Sequence, residues 1–357
     1  MNFTIIGAGN GGQSMAAHLN FLKQNVILYD VQKDLVDKIN ENGGVRAEGV
    51  IEGFASVEAT NDLNKAMKQT DIIMVTTTGT AHKNVAKSIA PLIKDGQIIM
   101  IFPGYWGALE FRNVFEELKV NKEVYIAETE SLIYTTRAIK PGHVKIRKIK
   151  ENLEFSTIPS KHGEVVKKSL QDVYPQLILA DTVLTTTLNN CNPIFHVPIT
   201  LFNAGRIESD NEFFFYPEGG TRSVVQVMEK LDKERLKIGE KLKINLSSCN
   251  ELLKRFYQVD EKNLYDNLQN NPAYQTGKAP NTLDYRYIYE DIPYGLNPML
   301  ELGESLGIEM KTTETLIKMA CLIKDEDLQD GALGLKGLGL QDLSAQEISI
   351  LLKGNNI

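Results

Sequence analysis

The chain has few cysteines, no surplus of positive charge and no long apolar run, and each shortage removes a class of protein. Its three cysteines, Cys191, Cys249 and Cys321, are odd in number and widely spaced. They supply neither a disulfide framework nor the paired spacing of a zinc site. They predict a reducing, cytoplasmic setting and no bound metal. A formal net charge of −7 argues against a nucleic-acid surface. Lys145, Lys148 and Lys150 cluster locally, but acidic residues soon dilute them, and they read as solvated surface. No segment approaches the roughly 20 apolar residues that span a bilayer, so no membrane partner is expected. The first residues read as a core strand rather than a signal peptide, because Gly7 interrupts the apolar run after only a few positions.

What is present is the make-up of an ordinary globular protein. A hydrophobic fraction of 42% over 357 residues leaves chain enough for two cores without disulfides. The most informative stretch comes first. Phe3-Thr4-Ile5-Ile6 runs into Gly7-Ala8-Gly9-Asn10-Gly11-Gly12, and residues 13–22 follow with a helical pattern. A buried strand, a G-x-G-x-x-G turn and a helix, in that order, are what dinucleotide binding requires. Gly7 permits the tight turn, Gly9 lets backbone approach a pyrophosphate, and Gly12 lets helix and strand pack closely. The helix start then offers N–H groups and a partial positive charge to the phosphates. A second apolar run, Asn25-Val26-Ile27-Leu28-Tyr29, ends in Asp30, 18 residues past Gly12. A carboxylate there accepts from an adenosine ribose and repels a 2′-phosphate, which favours NAD(H) over NADP(H).

Up to about residue 159, apolar runs alternate with amphipathic stretches, which predicts a doubly wound, mostly parallel sheet of Rossmann type. Residues 32–40 read as a helix, 43–60 as a hairpin insertion, 71–75 and 97–102 as buried strands, 82–92 as a helix and 123–127 as a further strand. Ligands of such sheets bind beyond the carboxyl ends of the strands. That position alone nominates residues 76–80 (with Thr77), 103–107 (with Pro103) and 128–131. Beyond residue 181 strand-like runs become scarce, and helical patterns dominate at 223–238, 247–259, 312–323 and 344–353. The leucine- and glycine-rich stretch 332–340 reads as a packed, tightly turning connection. The expected fold is therefore α/β followed by all-α: a dinucleotide-binding domain over residues 1–180 and a mainly helical domain over 181–357, the latter offering surfaces for a homodimer.

A cofactor domain leaves the reaction to groups that face it. Of five histidines, His18, His82, His143 and His162 read as structural or solvent-facing. His196 lies in Asn192-Pro193-Ile194-Phe195-His196-Val197-Pro198, hemmed by prolines and apolar residues. It is either a satisfied core residue or an acid–base group, and the second reading needs a partner to orient the imidazole. Tyr285-Arg286-Tyr287-Ile288-Tyr289-Glu290-Asp291-Ile292-Pro293 holds the candidate, Asp291. Arg286, in the same stretch, is either a bidentate clamp for a substrate carboxylate or the cation of a salt bridge to Glu290 or Asp291. Phe213, Phe214, Phe215 and Tyr216 line an apolar pocket or, more commonly for such runs, fill a core.

Across essentially the whole chain these residues resemble the octopine/opine dehydrogenase family. The likeness runs from Gly7-Ala8-Gly9-Asn10-Gly11-Gly12 through Pro103-Gly104, Gly107-Ala108-Leu109-Glu110-Phe111 and Glu128-Thr129 with Tyr134 and Arg137. It continues in Asn192-Pro193 ahead of His196, the 214–221 segment, Leu231-Asp232-Lys233-Glu234-Arg235, and Arg286 with Glu290-Asp291-Ile292-Pro293. The glycine turn is common to many dehydrogenases; the ordered set of His196, Arg286 and Asp291 is the specific part. The resemblance implies reductive condensation of a 2-oxo acid, pyruvate first, with the amino group of an amino acid, through an imine. It implies His196 as the acid–base group, Asp291 as its partner and Arg286 as the holder of a substrate carboxylate. Two other readings stand beside it: a two-domain reductase of a hydroxy acid or glycerol phosphate with no amine substrate, and a non-catalytic nucleotide sensor.

Overall fold

The computed structural model describes residues 1–209 and 211–354. Its contacts divide the chain into two units, one of Met1–Thr186 with Leu352–Gly354 and one of Thr187–Leu351. The division falls a few residues beyond the expected 180/181, and the C-terminal end of the last helix returns to the first unit.

The first unit has twelve strands: β1 (Asn2–Ile6), β2 (Asn25–Tyr29), β3 (Val45–Gly49), β4 (Gly53–Ala55), β5 (Glu58–Thr60), β6 (Ile72–Val75), β7 (Ile98–Ile101), β8 (Tyr125–Thr129), β9 (Tyr134–Lys140), β10 (His143–Ile149), β11 (Leu153–Ile158) and β12 (Leu177–Leu179). Eight of them form one sheet in the order β12-β11-β8-β7-β6-β1-β2-β5. Every neighbouring pair is parallel except β8 and β11. β6 and β7 are unbroken runs of Ile, Met and Val, buried at every position. That is what strands covered on both faces require. β1 sits between β2 and β6, so the strand order reverses beside it, and the carboxyl ends of β1 and β6 form the switch point at which such sheets bind ligands.

A second, four-stranded sheet runs β4-β3-β10-β9. β3 and β4 make the expected hairpin, pairing Val45 with Ala55. The rest of the 43–60 stretch departs from expectation. β5 leaves the hairpin for the edge of the main sheet, and β3 pairs in parallel with β10. The lysine cluster on and just beyond β10 is also not uniformly solvated. Lys145 is exposed, but Lys150 is only 8% exposed, and its ammonium donates to the Ser131 hydroxyl.

The second unit is helical, and among the described residues its only β-pairing is the isolated bridge of Phe214 with Lys278. The long helix Arg222–Leu242 buries Val224, Val225, Met228, Leu231, Ile238 and Leu242, a stripe at helical spacing. Buried Arg235 on the same helix donates to Asp232, to the Leu188 and Ser247 carbonyls and to the Asn189 side chain. One guanidinium thus knits three segments, and the Asp232 carboxylate 2.6 Å away compensates its buried charge. Residues 332–340 form a packed connection, with Leu333, Leu335, Leu338 and Leu340 buried and the Leu335 N–H donating to Glu301.

Candidate active site

The glycine turn at the end of β1 is built by sterics. Gly7 has φ +103°, a conformation that L side chains rarely adopt. A Cβ on Gly12 would overlap the Gly7 carbonyl oxygen, so only glycine lets the helix Asn10–Phe21 cross that close. Gly9 is the opposite case: a Cβ there would meet no atom within 4 Å, which leaves its face open. Gly11 packs on Leu132. The helix that follows has no side-chain cap, so its first N–H groups are available to an anion. Asn10 does not turn its carboxamide oxygen to that space; it accepts from the Ala138 N–H of β9, 2.9 Å away.

Asp30, at the end of β2, has two partners that the sequence did not disclose. One carboxylate oxygen accepts from the Ala8 N–H at 2.6 Å and the other from the Gln32 N–H at 2.9 Å. It therefore holds the glycine turn from within, and each oxygen keeps a lone pair for a further donor. Asp30 lines a cavity of about 250 Å³ with Gly7, Val31, Leu63, Thr77 and Val85, and no lysine or arginine is among the lining residues. The Thr77 hydroxyl is buried with no hydrogen-bond partner among the described residues. An open face over Gly9, an uncapped helix start, and an apolar cavity lined by both a carboxylate and a residue with an orphan hydroxyl fit a dinucleotide.

Pro103 begins the loop after β7, in which Tyr105 and Trp106 both take positive φ, +43° and +63°. These aromatic residues are buried despite that cost. Glu128, at the carboxyl end of β8, supports the loop. Its carboxylate accepts from the Ala108 N–H and the Thr186 hydroxyl, each at 2.9 Å, and a Cβ on Gly104 would overlap it. Position had nominated this strand end; nothing in the sequence assigned the carboxylate that task.

In the second unit, His196 rides on helix Asn192–Phe202, and Asp291 stands between the short helix Arg286–Tyr289 and a π-turn at Ile292–Leu296. Such turns recur at functional sites. His196 is 6% exposed and Asp291 fully buried. His196 Nδ1 lies 2.8 Å from an Asp291 carboxylate oxygen, so that nitrogen carries the proton and Nε2 is the acceptor of the neutral ring. Tyr287 stacks on the imidazole at 4.0 Å and 28°. The Tyr216 hydroxyl is 3.0 Å from Nε2, a contact with no signal in the sequence beyond the aromatic run. Burial pushes the Tyr216 hydroxyl well above its usual pKa, with Tyr287, Tyr257 and Asp291 adding to the rise. Of its neighbours, Phe213 and Phe215 are core, whereas Phe214 is exposed. Arg286 pairs with Glu290 at 2.6 Å, the salt bridge that was one of its two readings, while its side chain stays 40% exposed.

The remaining histidines lie in other surroundings. His18 contacts the Tyr134 hydroxyl and His143 contacts Glu48, each at 2.8 Å. His162 meets the Tyr125 ring edge-on. His82 is fully buried, and desolvation pushes it down to about 4. Glu110 is also buried, and desolvation pushes it up to about 7. The spacing of the cysteines hid a further contact. Cys191 Sγ and Cys249 Sγ are 2.6 Å apart as free thiols, beside Asp232. Among the described residues there is no cluster of three or more metal-ligating side chains, and no helix is long and apolar enough to cross a membrane.

Two family models match parts of the chain. The N-terminus of NAD-dependent glycerol-3-phosphate dehydrogenase matches residues 2–105, and the alpha-helical domain of NAD/NADP octopine/nopaline dehydrogenase matches residues 179–324. A dinucleotide-binding sheet followed by that helical domain defines a two-domain NAD(P)-dependent oxidoreductase, with NAD(H) favoured. Over 349 residues, 97% of each chain, it is 34% identical to the opine dehydrogenase of Arthrobacter sp. (strain 1C). The chain belongs to the opine dehydrogenase family. It is also 21% identical to D-nopaline dehydrogenase of Agrobacterium vitis, over 88% of this chain and 84% of that one. Among solved structures, octopine dehydrogenase in complex with NADH and agmatine aligns with a TM-score of 0.79 at 17% identity, covering 100% of this chain and 99% of that one. At that identity the likeness speaks for the fold.

Proposed function

We propose that this enzyme condenses the amino group of an amino acid with a 2-oxo acid, pyruvate first, reduces the resulting imine with NAD(P)H, and runs the reverse oxidation. The observation that carries the reading is the 2.8 Å contact of His196 with buried Asp291, in the unit matched by the family's helical domain. Relatives of the same fold are octopine dehydrogenases described in complex with NADH and pyruvate or with NADH and L-arginine, a 2-oxo acid and an amino acid.

In this reading His196 takes a proton from the incoming ammonium and returns it to the hydroxyl that leaves as water. Asp291 holds the imidazole in one tautomer and stabilises the imidazolium. Arg286, half-exposed and paired with Glu290, holds a substrate carboxylate. Gly7, Gly9, Asn10, Gly11 and Gly12 receive the pyrophosphate through their backbone. Asp30 receives the ribose, and Thr77 and Pro103 line the approach to the nicotinamide. The bound NADH supplies the hydride that reduces the imine carbon. The first unit is then the cofactor domain and the second the substrate domain. A cytoplasmic homodimer completes the proposal.

The test is NADH consumption with pyruvate against a panel of the common amino acids. Oxidation that depends on both partners supports the reading. A rate with the oxo acid alone overturns it in favour of a hydroxy-acid reductase, and NADH binding without turnover on any pair overturns it in favour of a sensor.

A further inference from the structure

Both ring nitrogens of His196 are engaged: Nδ1 by Asp291 at 2.8 Å and Nε2 by the Tyr216 hydroxyl at 3.0 Å. An imidazole oriented by a carboxylate on one nitrogen works through the other. Here a phenol stands at that second nitrogen. Nor is its ring free to swing aside. Tyr216 stacks on Tyr274 at 4.1 Å and 21° and meets Phe215 edge-on at 5.1 Å and 85°. Tyr274 is in turn backed by Tyr257 at 5.5 Å. The short helix that carries Tyr216 is tied down by the Phe215 N–H donating to the Gly277 carbonyl at 2.8 Å. A substrate atom that exchanges a proton with Nε2 must reach it through this hydroxyl.

We infer that Tyr216 relays the proton between His196 Nε2 and the substrate, an inference that rests on the acid–base role proposed for His196. The relay runs twice. As the amino acid's ammonium gives up its proton, the Tyr216 oxygen accepts it while the Tyr216 hydrogen passes to Nε2, leaving a free amine, an intact phenol and an imidazolium. The amine adds to the 2-oxo carbon, and proton transfer from nitrogen to oxygen gives the neutral carbinolamine. Its C–O bond then breaks. The departing hydroxyl takes the Tyr216 hydrogen and leaves as water, the nitrogen lone pair forms the C=N bond, and Nε2 returns its proton to the Tyr216 oxygen. The positive charge has moved from the imidazolium to the iminium nitrogen, and the phenol is restored. The partly buried Tyr216 hydroxyl is held well above its usual pKa, so the two transfers in each pass occur together.

The experiment uses the full-length enzyme and Tyr216→Phe, which keeps the ring and its stacking and removes one oxygen. In single turnovers with NADH, pyruvate and the best amino acid, the imine-forming rate should fall about 10²-fold or more. The KM for pyruvate, NADH binding by fluorescence and Tm should stay near wild type. A merely structural tyrosine would move Tm and KM with the rate. A rate within about threefold of wild type overturns the relay, whatever His196→Ala does; a His196→Ala enzyme that keeps its rate overturns the underlying dyad instead. The wild-type enzyme offers an independent check in mixtures of light and heavy water. Two protons in flight bow the dependence of rate on deuterium fraction, and a straight line overturns the relay.

Discussion

His196 and Asp291 are 95 positions apart in the chain and 2.8 Å apart in the fold. The aspartate is fully buried and the histidine almost so. Removing either partner leaves the other without its match in a dry setting, where the loss is large. Asp291→Asn and His196→Ala should each lower turnover by about 10²–10⁴-fold, the usual scale of acid–base assistance. NADH binding, followed by fluorescence titration, should survive in both. Near-wild-type turnover in either variant rules out the dyad.

Asp30, proposed to receive the ribose, also holds the glycine turn, because its carboxylate accepts the Ala8 N–H there. Asp30→Ser should therefore not convert the enzyme to NADP(H). It should weaken both cofactors, NADH by about tenfold or more, since a hydrogen bond to a charged group is worth about 1.5–3 kcal/mol. Titrating NADH and NADPH into both proteins decides the matter; a simple exchange of preference would show that the anchor is irrelevant.

Glu110 links stability to pH. Its carboxyl is held up at about 7 in the fold against an ordinary 4.5, because burial penalises the charged form. The folded state therefore keeps a proton that the unfolded chain releases, and stability declines as pH rises from about 4.5 to about 7. Glu110→Gln should remove that decline, raising stability at pH 8 by up to about 3 kcal/mol and leaving it unchanged near pH 4. Denaturant titrations at the two pH values measure it, and equal effects at both would refute the assignment.

His82 has the opposite sign. Burial lowers it to about 4 from 6.5. The unfolded chain binds this proton first, so stability is intact above about 6.5 and is lost progressively as pH falls towards 4. His82→Leu should flatten that acid-side slope in thermal melts, and an unchanged slope would mean that other groups carry it.

The thiols of Cys191 and Cys249 are in contact, 2.6 Å apart, while Cys321 stands elsewhere. Treatment with diamide should close this one pair, with a loss of two mass units and reversal by dithiothreitol. Because the link spans 58 positions, Tm should rise by about 5 °C or more. Cys191→Ser should abolish both changes; an unchanged mass in the wild-type protein would count against the pair.

How much of this was legible in the chain depends on the range of the interaction. The strand–turn–helix opening, the buried β6 and β7 and the long helix Arg222–Leu242 follow from local periodicity and from the small volume of glycine, and these emerged near the expected boundaries. The parallel pairing of β3 with β10 did not, because strands of weak alternation find their partners by register rather than by any nearby signal. Lys150 looked solvated because its neighbours are polar, and only the fold brings it beside Ser131.

The same division runs through the site. By itself the sequence determined a dinucleotide turn with an acidic strand end, a helical second half, and the residue types available for chemistry there, since these depend on composition and on spacings of a few residues. Only the tertiary structure decided which of them meet: Asp30 with Ala8, Glu128 with the Pro103 loop, Asp291 and Tyr216 with the two nitrogens of His196. Hydrogen bonds act over about 3 Å, and no local pattern says which distant segments packing will bring within that reach.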